Sequence, residues 1–186
     1  TYNMSIGQGY IQVTPLQIAV WTSEFATNEM RQQYIVKKIM SNDGKIVFER
    51  KSKILKKNII SDENIKIIQK GMRMTITSGT AKSLNNFPAP IAGKSGTPEI
   101  LGKRKLNAIF TGYATADNPE IVLTVLIEEV PIGSVSTLPL FKEVMGAYFE
   151  DKYPKLFPRF IKASVKEMST TTTTATTTTT TESRNQ

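Results

Sequence analysis

Residues 90–98 read Pro-Ile-Ala-Gly-Lys-Ser-Gly-Thr-Pro, and the interpretation of this stretch decides the fold. Gly-Lys-Ser is also the end of a phosphate-binding loop, but that loop needs a glycine five residues before the Gly-Lys pair and a helix after it. Here that position is Pro88, and the residues after Thr97 resemble a strand. Pro88 and Pro90 also lack the backbone N–H groups on which a phosphate nest depends. The stretch therefore predicts the edge of a β-sheet. Lys94 is then either a strand residue with no functional role or an active-site lysine.

The surrounding sequence predicts an α+β fold with one antiparallel sheet. Three strand-like segments follow one another, near residues 91–100, 107–115 and 120–129. The links between them are short and polar, which predicts hairpins instead of crossover connections. The run 121–127 is so apolar that we expect it to be central in the sheet and covered on both faces.

Helices are expected to flank this sheet, near residues 14–27, 61–78 and 137–150. Thr14 and Gln17 form a capping-box pattern around a proline that suits the first helical position. Ser61 is a favourable N-cap for the second helix, and Gly79 is placed to end it. Between the first two helices, Tyr34-Ile35-Val36 and residues 45–48 predict a small hairpin around the turn Asn42-Asp43-Gly44.

The 186 residues suffice for one domain with a core. We expect residues 1–160 to form the C-terminal portion of such a domain. Residues 161–186 are expected to be a disordered tail, because their threonine-rich tract has almost no apolar side chains to bury.

Composition excludes several kinds of chemistry. The chain has no histidine and no cysteine, so Ser-His-Asp catalysis, thiol catalysis and zinc sites built on these residues are excluded. If the chain takes part in acyl transfer, a lysine or a carboxylate must move the proton. The net charge is +8, but no basic stripe with interleaved aromatic residues favours nucleic acid as a partner. We expect neither a metal nor a cofactor.

Several stretches together resemble a known family. They are residues 5–10 and 13–19, Gly71-Met72-Arg73 with residues 77–81, residues 92–97, and the hairpin segments 110–114 and 117–129. In this order and approximate spacing, they strongly resemble the transpeptidase domain of penicillin-binding proteins. The Asp-Asn-Pro-Glu turn at 117–120 is similar to that of class B, monofunctional members.

The resemblance implies roles for one sequence element. In the family a serine nucleophile is acylated by a D-Ala-D-Ala stem peptide of peptidoglycan, or by a β-lactam that mimics it. Lys94 would then favour the proton distribution that frees the nucleophile, and the hydroxyls of Ser95 and Thr97 would bind the substrate carboxylate. Gly96 would let the substrate backbone approach the strand. The N–H of Thr97 would be an oxyanion-hole donor.

Two other elements of the family pattern are not found. No serine of this sequence is followed three residues later by a lysine, so the S-x-x-K nucleophile segment is absent. Ser83 and Asn85 match S-x-N but stand in the wrong order along the chain, and we interpret them as loop residues. We therefore expect an upstream segment to carry both elements, and the chain alone to be inactive. The resemblance also implies an extracytoplasmic location, periplasmic or on the outer face of the cytoplasmic membrane, with an anchor in a segment absent from this sequence. The alternative is a non-catalytic remnant or interaction domain of the same fold.

Overall fold

The computed structural model of the chain describes residues 4, 7, 11–100, 106–130 and 134–157. The expected tail at 161–186 and most of the stretch 5–10 lie outside the described residues, so the predicted domain boundary at residue 160 stays a prediction. By internal contacts the chain divides into two units, residues 1–142 and 143–186. The sheet described below belongs to the first unit. In the second, the ring of Phe149 stacks on those of Tyr153 and Phe157, with centroids 6.0 and 5.2 Å away.

Helix α1 (Pro15–Thr27) begins with the expected capping box. The backbone N–H of Gln17 donates to the Thr14 hydroxyl at 3.2 Å, and the Gln17 side-chain oxygen accepts from the Thr14 N–H at 2.8 Å. Two free N–H groups of the first turn are thereby satisfied. The helix ends where Asn28 adopts the left-handed conformation, with φ of 55°.

Two small sheets follow α1. Strand β1 (Glu29–Arg31) pairs with β4 (Ile54–Lys57), and β2 (Lys38–Met40) pairs with β3 (Ile46–Glu49). The expected hairpin therefore exists, but its first strand is 38–40 and the prediction of 34–36 was wrong. The tight turn at residues 41–45 places Met40 opposite Ile46, and this register leaves residues 34–36 beyond the end of β3.

Helix α2 (Asp62–Thr77) occupies the predicted range and buries Ile65, Met72 and Ile76 on one face. Ser61 stands at the N-cap position but its side chain makes no capping hydrogen bond, contrary to expectation. At the other end Ser78 is the C-cap, and Gly79 follows it. A Cβ at Gly79 would lie 2.8 Å from the α carbon of Thr75, so glycine is required where the chain turns back towards the sheet.

The main sheet has the predicted antiparallel order. Strand β5 (Ile91–Gly96) pairs with β6 (Leu106–Ala114), and β6 pairs with β7 (Ile121–Val130). β5 ends earlier than expected, two residues before Pro98, a residue that cannot donate to a ladder. Among the described strands β7 pairs only with β6, and most of its residues are half-buried. The prediction that this apolar run is central was therefore wrong.

Each face of the main sheet is covered by different elements. On one face Ala92 and Tyr113 form a buried cluster with Ala26 of α1 and Met72 of α2. On the other, Phe110 meets Phe141 edge to face, with ring centroids 4.7 Å apart. Phe141 belongs to helix α3 (Leu138–Lys152), close to the predicted range 137–150. Among the described residues, no helix has the length and apolarity needed to cross a membrane.

Candidate active site

Strand β5 is one edge of the main sheet, and its outer side can receive another chain. Arg73 of α2 donates from Nη1 to the Ile91 carbonyl at 2.7 Å, and Lys94 donates from Nζ to the Ser95 carbonyl at 2.6 Å. Both carbonyls therefore point away from β6. Because antiparallel strands alternate the direction of successive residues' main-chain groups, Gly93 also faces outwards. An open row of this kind is the surface to which an extended peptide adds as a further strand.

The predicted residues Lys94 and Ser95 lie on opposite faces of this strand. Lys94 stands opposite Thr111 on β6, whereas Ser95 stands opposite Phe110. The Lys94 side chain is exposed and forms no ion pair with a carboxylate in the described part of the chain. Its ammonium instead lies over the open edge, at the Ser95 carbonyl. The two residues are thus brought together by the lysine reaching across the edge of the strand.

The hydroxyl of Ser95 has a partner that the sequence prediction missed. Thr80 Oγ1 and Ser95 Oγ share a hydrogen bond of 2.8 Å. Thr80 follows Gly79, at the turn that carries the chain away from α2. The Gly-Thr-Ala triplet at 79–81 was recognised as part of the family pattern, but sequence spacing gave no sign of a contact with a strand fifteen residues later. The structure therefore adds Thr80 to the candidate site.

The glycines of the main sheet differ in what they are needed for. A Cβ at Gly93 would lie 2.6 Å from the Thr111 carbonyl oxygen and 2.7 Å from the ζ carbon of Phe110. A Cβ at Gly112 would lie 2.7 Å from the Ala92 carbonyl oxygen. At Gly96 the nearest atom would be the β carbon of Ile109, 3.9 Å away. Internal packing thus requires glycine at 93 and 112 but leaves open space at 96, on the predicted substrate strand.

A chain of threonine hydroxyls fixes β6 below Lys94. Thr22 of α1 bonds Thr111 at 2.8 Å, and Thr111 bonds Thr124 of β7 at 2.7 Å. Thr22 also donates to the carbonyl of Ile18 at 2.8 Å. These bonds join α1, β6 and β7 at the residue directly opposite Lys94. Thr111 is the second residue that sequence analysis did not identify.

The remaining predicted residues are placed as follows. Thr97 is exposed and directly follows the last residue of β5. Ser83 lies in a short 3₁₀ helix (Lys82–Leu84), Asn85 caps that helix, and both are exposed. Within the described ranges, no three acidic side chains gather as the ligands of a metal would. The site combines an ammonium that has no carboxylate partner among the described residues, hydroxyl groups and an open main-chain edge. This combination is suited to an anionic peptide terminus.

Comparison with known proteins identifies the family to which most of this chain is similar. The family model described as "Penicillin binding protein transpeptidase domain" matches residues 2–146. Penicillin-binding protein H of Bacillus subtilis is 32% identical over 80% of this chain and 23% of its own length. Peptidoglycan D,D-transpeptidase MrdA of Haemophilus influenzae is 28% identical over 84% of this chain and 27% of its own. This chain therefore spans about a quarter of the length of these curated relatives.

A solved structure agrees with the sequence relatives. PBP2 of Pseudomonas aeruginosa is 31% identical and superposes with a TM-score of 0.64, over 78% of this chain and 31% of that one. The match covers an α+β fold of antiparallel sheet and helices, as the sequence predicts. The family model, the relatives and the fold agree, and the chain belongs to the penicillin-binding protein transpeptidase domain family.

Proposed function

We propose that this chain is the C-terminal part of a peptidoglycan D,D-transpeptidase domain and supplies its substrate-binding strand. The observation that carries the proposal is the open edge of β5, where an ammonium, a hydroxyl and an unobstructed glycine occur in consecutive residues. The acyl donor would be the D-Ala-D-Ala end of a stem peptide, or a β-lactam that mimics it. Such a substrate would lie along the edge as an added strand.

Each residue of the element has a chemical task in this proposal. The Lys94 ammonium stabilises the negative charge that develops when a serine nucleophile gives up its proton. Ser95, oriented by Thr80, and Thr97 donate hydroxyl hydrogen bonds to the substrate carboxylate. Gly96 admits the substrate backbone, and the Thr97 N–H donates to the oxyanion. A donor of that kind contributes about 3–4 kcal/mol to transition-state stabilisation.

The nucleophile would come from another polypeptide segment. No serine in this sequence precedes a lysine by three residues, and Ser95 pairs with a threonine instead of a base. We propose that a segment carrying the S-x-x-K and S-x-N elements completes the site, on the outer side of the cytoplasmic membrane where peptidoglycan lies. The second candidate is a non-catalytic domain that keeps the fold, in which the bond between Ser95 and Thr80 is only structural.

The test uses a completed domain, in which this chain is joined to the preceding part of the transpeptidase domain of the Pseudomonas aeruginosa relative. Acylation by a fluorescent penicillin is measured for the parent and for Lys94→Ala. We expect Lys94→Ala to slow acylation roughly a hundredfold or more, because the charge that assists proton transfer from the nucleophile is lost. Lys82→Ala, at an exposed lysine outside β5, is the matched control and should acylate like the parent.

Two results would contradict the proposal. If Lys94→Ala is acylated as fast as the control, Lys94 is only a strand residue. If the completed domain folds, as judged by its circular dichroism and cooperative melting, yet never reacts with penicillin, the non-catalytic candidate is favoured.

A further inference from the structure

A cavity separate from the candidate active site lies near the beginning of β5. Its volume is about 560 Å³, and its wall comes from the end of α1, from α2, and from the turn between β6 and β7. The polar side chains that line it are Gln69, Lys70, Arg73, Tyr113 and Asp117. Pro90 lines it too, four residues before Lys94, or roughly 13 Å along an extended strand. No lining residue belongs to the 94–97 element.

The Tyr113 hydroxyl is the most unusual group of this cavity. The residue is only 1% exposed, yet its side chain lines the cavity. The hydroxyl forms no hydrogen bond with any described residue. Burial, together with the negative charge of Asp117, raises the pKa of Tyr113 to about 12. The phenol is therefore neutral at physiological pH and can both donate and accept a hydrogen bond. No fully buried side-chain oxygen or nitrogen of the described residues lacks a hydrogen-bond partner, so this hydroxyl is accessible from the cavity, where a ligand can reach it.

Three charged side chains in the wall are also without ionic partners. Lys70 and Arg73 stand three residues apart on α2 and so lie on neighbouring parts of one helix face. Asp117 lies in the turn after β6. None of the three forms an ion pair with another or with any other described side chain. The cavity wall thus carries two cationic side chains and one anionic side chain that form no ion pair with each other.

The walls that carry these groups are held in place by hydrogen bonds. Nη1 of Arg73 is fixed on the Ile91 carbonyl at 2.7 Å, which leaves the other guanidinium N–H groups available. The Gln69 amide donates to the carbonyls of Phe25 and Ala26 at 2.9 and 3.1 Å. These bonds tie α2 to the end of α1 and to the start of β5. The Arg73 guanidinium is therefore positioned before any ligand arrives, which lowers the entropic cost of binding.

We propose that this cavity binds a small zwitterion, namely an amino acid or a short peptide with free ends. Lys70 and Arg73 would receive its carboxylate, and Asp117 with the Tyr113 hydroxyl oxygen would receive its ammonium. A simple anion would face Asp117 and a simple cation would face two cations, so the arrangement selects a ligand that carries both charges. The site shares no residue with the element assigned to transpeptidation and does not depend on that function.

The experiment titrates the full 186-residue chain with three probes and follows binding by NMR or calorimetry. Glycylglycine carries both charges, N-acetylglycylglycine only the carboxylate, and glycylglycinamide only the ammonium. We expect glycylglycine to bind roughly tenfold more tightly than either blocked probe, the equivalent of about 1.4 kcal/mol. Tyr113→Phe, which retains the buried ring, should weaken glycylglycine binding severalfold without changing the circular dichroism.

Charge variants test which end each group receives. Asp117→Asn should remove the preference for glycylglycine over its N-acetyl form. Lys70→Gln should remove the preference over the amide. Lys66→Gln is the matched control, because Lys66 is exposed one turn earlier on α2 and does not line the cavity. Because Lys70 is exposed, its substitution tests the proposal even if Asp117→Asn disturbs the turn.

Three outcomes would overturn the proposal. The first is that none of the probes binds at millimolar concentrations. The second is that N-acetylglycylglycine binds as tightly as glycylglycine, which identifies a simple anion site. The third is that the preference for free ends persists in both charge variants, which places the binding elsewhere on the chain.

Discussion

Substitution of Gly93 and of Gly96 by alanine separates a glycine that the fold needs from one that the substrate needs. A Cβ at Gly93 would meet a main-chain oxygen at 2.6 Å and the Phe110 ring at 2.7 Å. Neither can retreat easily, because the oxygen belongs to the central strand and the ring packs on Phe141. Overpacking of this kind costs about 1–3 kcal/mol. For a chain of this length, each kcal/mol lowers Tm by roughly 2–4 °C.

Gly96→Ala should behave in the opposite way. Its Cβ would find no atom closer than 3.9 Å, and its backbone is not in the left-handed region that favours glycine. Replacing glycine in a strand reduces the entropy of the unfolded chain, so the free energy of unfolding should be unchanged or higher by up to about 1 kcal/mol. In the completed domain, however, the methyl group would stand where the substrate backbone passes, and acylation should fall by at least roughly tenfold.

Both variants are measured by thermal and urea unfolding of this chain, and by penicillin acylation of the completed domain. The expected pattern is a loss of stability for Gly93→Ala and a loss of acylation without loss of stability for Gly96→Ala. If Gly96→Ala unfolds as easily as Gly93→Ala, the strand edge is not open at this residue. If it is acylated at the parental rate, the substrate does not pass over Gly96.

Three further predictions concern the serine nucleophile, the hydroxyl of Thr80 and the phenol of Tyr113. Incubated alone with a labelled penicillin, this chain should show no mass increase, because an unassisted serine hydroxyl is too weak an acid to react; a stoichiometric adduct would mean that a nucleophile had been overlooked. Thr80→Val in the completed domain should raise KM more than it lowers kcat, because the Ser95 hydroxyl that binds the substrate loses the hydrogen bond that orients it. Thr80→Ser keeps a hydroxyl and should restore KM. Equal KM values in all three proteins would remove Thr80 from the site. The pKa of Tyr113 is raised from 10.0 to about 12, so the unfolded chain loses this proton at lower pH than the folded chain does. The free energy of unfolding should therefore decline as the pH rises between these values. Urea unfolding of Tyr113→Phe should show a shallower decline, and an identical pH profile would contradict the raised pKa.

Local sequence signals predicted the elements of this fold well. The capping box at Thr14 and the apolar spacing along α2 act within a few residues, so they can be recognised in sequence. The short links between the strands of the main sheet predicted their antiparallel order for the same reason. The first strand of the small hairpin was misplaced because its register depends on the turn, not on the apolarity of Ile35 and Val36. β7 was misjudged because an apolar run does not reveal how many strands pair with it.

The candidate site was predictable only in part. Residues 94–97 were identified through the order of several motifs, and they do lie at an open sheet edge. The contact of Thr80 with Ser95 and the threonine chain through Thr111 were missed, because both depend on distant segments meeting in the folded chain. The cavity beside Tyr113 has no sequence signature either, since its wall combines residues from two helices and a turn.

The hydrogen bond from Lys94 to the Ser95 carbonyl has a consequence for the behaviour of the protein in solution. An open strand edge invites pairing with other copies of the chain, and lysine is the side chain that natural sheets use most often to discourage it. The Lys94 ammonium occupies the outward carbonyl of Ser95 and so hinders the pairing of this edge with another copy of the chain. A peptide that adds to the edge must first displace the ammonium. Lys94→Ala removes this ammonium, so the variant should self-associate more and increase the light scattering of concentrated solutions. Unchanged scattering would show that the edge is protected by other means.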